Sequence, residues 1–119
     1  MADSTIKLGQ VATARSGDKG NHANIGVVAA SEAGFRFLQT ELTCDRVAAF
    51  FQELGATKVE RFELPKVWAF NFLLYNVLGG GASRSLRIDT QGKLLGTAIL
   101  NMELPAPNNL PNLLITKDA

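Results

Sequence analysis

Between Ala14 and Val27 the chain reads ARSGDKGNHANIGV, and residues 79–85 read GGGASRS. Both stretches combine glycines with cations and with hydroxyl or amide side chains. Glycine lets backbone N–H groups close on a ligand; Arg15, Lys19 and Arg84 add positive charge, and Ser16, Ser83 and Ser85 add hydroxyl donors. Such a set suits an anion: a phosphate, a carboxylate or a thioester oxygen. For proton transfer the same region offers Asp18 and His22, since histidine is the side chain that ordinarily titrates nearest neutrality and a carboxylate beside Lys19 can serve as a base. The same residues also fit a plain turn, with Asp18 capping it, Arg15 paired to Asp18 and His22 exposed in the loop. For GGGASRS the corresponding alternative is a helix stop followed by a strand start, although one glycine would suffice for the stop.

Several chemistries are excluded by pattern. Neither stretch matches G-x-x-x-x-G-K-[ST], and no G-x-G-x-x-G follows a strand, so nucleotide hydrolysis is disfavoured. One histidine and one cysteine give no cluster with metal-ligand spacing, so no structural metal and no cofactor is expected. Cys44 lies beside a predicted helix start, where a thiol can be activated, but no base adjoins it in sequence and an inert thiol is the expectation. Trp68, Phe70, Phe72 and Tyr75 could line an apolar slot, or fill a core.

The elements that must carry these residues fit in one domain. A chain of 119 residues can bury roughly two-thirds of its unfolded surface around a single core. Its 46% hydrophobic and 19% charged residues are ordinary for a globular protein, and a formal charge of +1 offers no basic face for nucleic acid. The sequence has no apolar run of signal-peptide or membrane-spanning type, so a cytoplasmic protein is expected.

Alternation predicts strands over 6–13 and 23–30, with the polar burst as the connection between them. Ser31 can cap a helix with Phe35, Leu38 and Leu42 inward. Thr43 can cap a second helix, with Asp45 in its first turn, Val47, Phe50, Phe51 and Leu54 on one face, and Gly55 ending it. A strand is predicted over 58–64 and, from the spacing of Val67, Phe70, Leu74, Val77 and Leu78, a helix over 67–78. Strands over 85–89 and 94–104 around Thr90-Gln91-Gly92 read as a hairpin. Residues 105–119 hold three of the four prolines and read as a surface tail. The mixture points to an α+β fold: a largely antiparallel sheet with helices on one face, of which a split β-α-β arrangement is one form. The other sheet face must then be solvated or covered, and a covered face implies a homo-oligomer.

RSGDKGNHANIGV, the Leu64-Pro65 and Asn71-Phe72 pairs, LGGGASRSLRID over 78–89 and the QGK of 91–93 together resemble the C-terminal domain of the AtuA-like, acyclic terpene utilisation family. The resemblance runs from about Val11 to about Leu104 and implies a ferredoxin-like sandwich. In that family the domain follows a larger N-terminal one, so a larger AtuA-like partner is implied for what reads here as a freestanding domain. The family's link to acyclic terpene and branched-acid breakdown implies an acyl-CoA-type ligand. The positions that match the family pattern are Arg15, Ser16, Gly17, Asp18, Lys19, Gly20, Asn21, Asn24, Asn71, Gly79, Gly80, Gly81, Ser83 and Arg84.

Three functions follow as alternatives. The first is an accessory subunit that binds an anionic metabolite. The second is a self-contained hydratase, isomerase or thioesterase with Asp18 or His22 as acid or base. The third is a structural oligomerisation module.

Overall fold

Two hydroxyl side chains start the two helices that follow the first hairpin. Ser31 Oγ accepts the Gly34 N–H at 3.0 Å and opens α1, Glu32–Glu41. Thr43 Oγ1 accepts the Arg46 N–H at 3.1 Å and opens α2, Cys44–Phe50. Glu32 and Asp45 stand in the respective first turns, where the helix dipole favours an acid. A single 3-10 turn follows α2 and ends at Gly55, whose φ of 68° is the left-handed conformation that glycine adopts without strain. These elements are seen in a computed structural model that describes residues 5–19, 22–76 and 94–107, with Asp18, Lys19 and Leu94 described by backbone alone.

Strands β2 (Ala12–Lys19), β3 (His22–Ala29), β4 (Val59–Leu64) and β5 (Ala69–Leu74) form one antiparallel sheet in the order β2-β3-β5-β4. Because β5 lies between β3 and β4, the path from β3 through α1 and α2 to β4 is the split β-α-β unit of a ferredoxin-like sandwich. A third helix, α3 (Leu94–Ile99), packs on β2. Read as β-β-α-β-β-α from β2 onward, the described elements are a circular permutation of the β-α-β-β-α-β order. A two-stranded ribbon of β1 (Thr5–Lys7) and β6 (Glu103–Pro105) completes them.

The pleat sorts the sheet into two unlike faces. Ala23, Ile25, Val27 and Ala29 of β3 and Phe70, Phe72 and Leu74 of β5 face the helices and are buried with Phe35, Leu38, Leu42, Val47 and Ile99. Ile6, Leu8 and Leu104 join the same core. The opposite, open face carries Arg15, Asn24, Gly26, Val28, Asn71, Phe62 and Leu64 at the alternate positions.

Five of the sequence expectations are corrected here. The polar burst is mostly strand, not connection: residues 12–19 pair with 22–29 from Ala12↔Ala29 to Lys19↔His22. An edge strand tolerates this composition because one of its faces is solvated. Residues 6–13 are correspondingly split into β1, a 3-10 turn over Leu8–Gln10 and the start of β2. The segment predicted as a helix over 67–78 contains the central strand β5, in which Phe70, Phe72 and Leu74 obey the period of two and Leu73 breaks it. Within the segment predicted as a strand over 94–104, Leu94–Ile99 is helix and only Glu103 and Leu104 belong to a strand. On the face expected for the second helix, Val47 and Phe51, the residue that follows α2, are buried, whereas Phe50 is exposed. The strand and hairpin predicted over 85–92 lie outside the described residues, as does most of the tail.

Candidate functional site

The register decides which of the motif's side chains share a surface. On the open face Arg15 stands opposite Gly26, Gly26 opposite Asn71 and Asn71 opposite Phe62, one row across all four strands. The adjacent row is Gly17, Asn24, Leu73 and Glu60. Arg15, Asn24 and Asn71, which are far apart in sequence, are thus brought to one patch. Gly26 places no side chain between Arg15 and Asn71; a Cβ there would meet only the Arg15 carbonyl oxygen, at 4.0 Å. Arg15 is exposed and forms no ion pair or hydrogen bond with any described residue. An exposed guanidinium on a face with two amides can take a carboxylate or phosphate in a planar, charge-assisted fork.

Ser16 lies on the other side. Its hydroxyl accepts the Gly96 N–H of α3 at 2.6 Å and so ties the helix to β2. Asp18 pairs with Ala23 and Lys19 with His22 in the ladder, and their side chains are not described. Gly20, Asn21, Gly79, Gly80, Gly81, Ser83 and Arg84 lie outside the described residues, and with them any convergence of the two glycine-rich stretches.

His22 is not an exposed loop residue but the half-buried first residue of β3. Its Nδ1 accepts the Asn76 N–H at 2.9 Å, which assigns the proton of the neutral ring to Nε2. The ring lies against Tyr75, centroid to centroid 4.8 Å. Tyr75 in turn donates its hydroxyl to Glu60 Oε1 at 2.6 Å, and Lys58 Nζ stands 3.2 Å from Glu60 Oε2. Glu60 carries no expectation from the sequence, and Tyr75 only that of lining an apolar slot or filling a core. Both lie far along the chain from Asn24, and the strand register brings them to the same face. The hydrogen bond from Tyr75, and then the ammonium of Lys58, hold the Glu60 carboxyl below its ordinary range, while the bond to Glu60 raises the Tyr75 phenol.

That coupling has a measurable consequence. In Tyr75→Phe the Glu60 carboxyl should titrate closer to its ordinary value, which carboxyl-carbon NMR can follow. Because the folded value is depressed, the pair's contribution to stability is present above the unfolded pKa and is lost as pH falls through the folded one. Tyr75→Phe should therefore lower stability at neutral pH, where that contribution is present, and flatten the acid limb, the two curves converging as pH falls through the folded value. An unchanged Glu60 titration would show that the bond does not set it.

Of the remaining candidates, Phe70 and Phe72 are core filler, Trp68 is partly exposed, and Cys44 is a partly buried free thiol in the first turn of α2. Among the described residues no group of three His, Cys, Asp or Glu side chains is placed to hold a metal, and no helix is long and apolar enough to cross a membrane. The family model for the AtuA ferredoxin-like domain matches residues 6–105, most of the 119-residue chain. No curated protein and no solved structure matches it.

Proposed function

The chain belongs to the AtuA ferredoxin-like domain family, and from that premise we propose that it binds an anionic, acyl-CoA-type metabolite on the open sheet face. In this reading it is an accessory unit in acyclic terpene or branched-acid catabolism and acts with a larger AtuA-like protein. The observation that carries the reading is the Arg15 guanidinium, without an ion pair among the described residues, in one row with Gly26 and Asn71. One end of the face is polar, with Asn24, His22 and Tyr75. The other is apolar, with Val28 and Leu64 paired to Ala69 on either side. A ligand with an anionic head and a branched apolar tail matches that zoning. A cytoplasmic setting, where acyl-CoA esters are made and consumed, goes with it.

The test is calorimetric titration of the full chain with short branched acyl-CoA esters. Arg15→Ala should weaken binding about tenfold, the loss of one charge-assisted contact worth on the order of 1.5 kcal/mol. Arg15 is exposed, so its melting curve should stay close to that of the parent. No binding by the parent chain, or equal binding by Arg15→Ala, would overturn the reading.

The hydrogen-bonded set of His22, Tyr75 and Glu60 favours a second reading, a self-contained acid–base enzyme of hydratase, isomerase or thioesterase type. There the His22 Nε2–H would be the proton donor. Turnover by the isolated chain that survives His22→Ala and Asp18→Asn would remove those assignments.

A further inference from the structure

Val28, Phe62 and Leu64 are 43%, 47% and 46% exposed on the open face of the sheet, and the described helices pack on the opposite side. Contiguous exposed apolar side chains on one face mark a surface that a partner covers. We propose that the partner is a second copy of this chain, joined face to face about a two-fold axis that runs along the strands.

The argument rests on the register. Turning the face over about such an axis reverses each row, so that β2 of one copy lies over β4 of the other. Arg15 then meets the second copy's Phe62, Gly26 meets its Asn71, and Gly17 meets its Glu60. In two of the rows a glycine leaves a hollow in the β2–β3 half: a Cβ on Gly17 would meet nothing within 4 Å, and one on Gly26 only a carbonyl oxygen at 4.0 Å. The β5–β4 half bears the bulk. A surface with its hollows on one side of its midline and its knobs on the other is complementary to itself under this rotation. Charge follows the same division. Arg15 stands near one edge and Glu60 near the other, so the rotation brings each Arg15 close to the second copy's Glu60. Four strands about 4.8 Å apart, with six to eight residues rising about 3.3 Å each, give a face roughly 20 Å square. With side-chain relief its accessible area is of the order of the ~800 Å² per partner that a stable interface buries.

The inference shares its face with the anion reading: the dimer would cover Val28 and Leu64, so an acyl tail there would have to lie between the copies, while Arg15, on the edge strand β2, would stay at the rim. The test contains no anion, so each reading can fail without the other.

Two measurements on the full chain decide it. Sedimentation equilibrium should show a dimer at micromolar concentration, and Phe62→Glu and Leu64→Glu should each raise its dissociation constant more than about tenfold. Both side chains are exposed on an edge strand, so circular dichroism melts should show both variants folded. The second measurement fixes the geometry. In a Cys44→Ser background, Thr13→Cys and Leu64→Cys in the same chain lie three strand spacings apart, roughly 14 Å, too far for a shorter bismaleimide to bridge. In the dimer each faces its counterpart on the other copy. The doubly substituted chain should cross-link to a covalent dimer, and neither single variant should. A monomeric parent chain, a dimer indifferent to both Glu variants, or cross-linking no better in the double variant than in the singles would each overturn the proposal.

Discussion

Gly96→Ala should destabilise the folded chain by about 3 kcal/mol, the upper part of the range for forcing extra volume into a packed contact. A Cβ on Gly96 would sit 2.8 Å from the Arg15 carbonyl carbon, 2.9 Å from the Ser16 nitrogen and 3.0 Å from the Arg15 Cα. All three atoms are backbone of β2 and cannot yield as the tip of a side chain does. Either α3 lifts from the sheet or β2 bends away from β3. Lifting α3 would lengthen the 2.6 Å bond from the Gly96 N–H to Ser16 Oγ and draw the buried Leu95 and Ile99 from the core. Alanine is the better helix former by up to about 1 kcal/mol, which opposes the clash without offsetting it. Urea unfolding should show a lower midpoint with the slope retained. Ser16→Ala, which leaves the space and removes the acceptor, should cost only about 1 kcal/mol. A Gly96→Ala chain as stable as its parent would mean that α3 does not approach β2 this closely.

The same contact shows why part of this fold could be read from the sequence and part could not. Ser31 and Thr43 act on amides three residues away, so their signals are local, and the α1 and α2 starts were predictable from residue type alone. The α3 segment, LLGTAI, has a glycine and two β-branched residues in six. Its intrinsic preference opposes a helix, and what favours one is the groove of β2 that Gly96 alone can enter, a fact about a strand eighty positions earlier. For β5 the ambiguity is internal. Phe70 and Leu74 lie four residues apart and satisfy a helical face, while Phe70, Phe72 and Leu74 satisfy a strand. The pairing with both β3 and β4 decides the matter, and no local pattern reports it.

The candidate site divides in the same way. The motif from Arg15 to Asn24 draws attention in the sequence because charge and amide side chains at this density exceed what a turn requires. Its composition reads as a loop because Gly, Asp and Asn are depleted in strands. As a hairpin of two long strands it presents Arg15 and Asn24 on one face and sends Ser16 to the other, a separation that follows from the pleat as soon as the register is known. His22 gains its definite place from Tyr75 and Asn76 beyond the end of β5, which the helical reading of 67–78 had put on a different element.

Arg61→Ala should cost about 2–3 kcal/mol, because it strips several charge-assisted hydrogen bonds from partly buried carbonyls. The last turn of α1 contains no basic residue, and its C-cap is Leu42 rather than a glycine, so the helix has no basic side chain of its own at its C-terminal end. Arg61 of β4 supplies them from the sheet: Nη1 donates to the Gln39 oxygen at 3.1 Å and to the Leu42 oxygen at 2.9 Å. Nη2 donates to Glu63 Oε2 at 2.7 Å, and Glu63 Oε1 accepts from Gln39 Nε2 at 3.0 Å, closing the set around the helix end. The guanidinium also lies 5.3 Å from the Phe70 ring centroid, over the core. A cation at this position meets the negative end of the helix dipole. Arg61→Met keeps the stem and its packing but leaves the Gln39 and Leu42 carbonyls without that donor, so it should recover little of the loss. Arg61→Lys, with a single point charge in place of the fork, should recover part of it. Glu63→Ala removes only the more exposed partner and should cost about 1 kcal/mol or less. Urea midpoints give the order of the four variants, and hydrogen exchange at the Leu42 amide, bonded to the Leu38 oxygen at 2.8 Å, reports whether the end of α1 frays. An Arg61→Met chain as stable as the parent, with the Leu42 amide still protected, would show that packing of the arginine stem and not its donors holds α1 to the sheet.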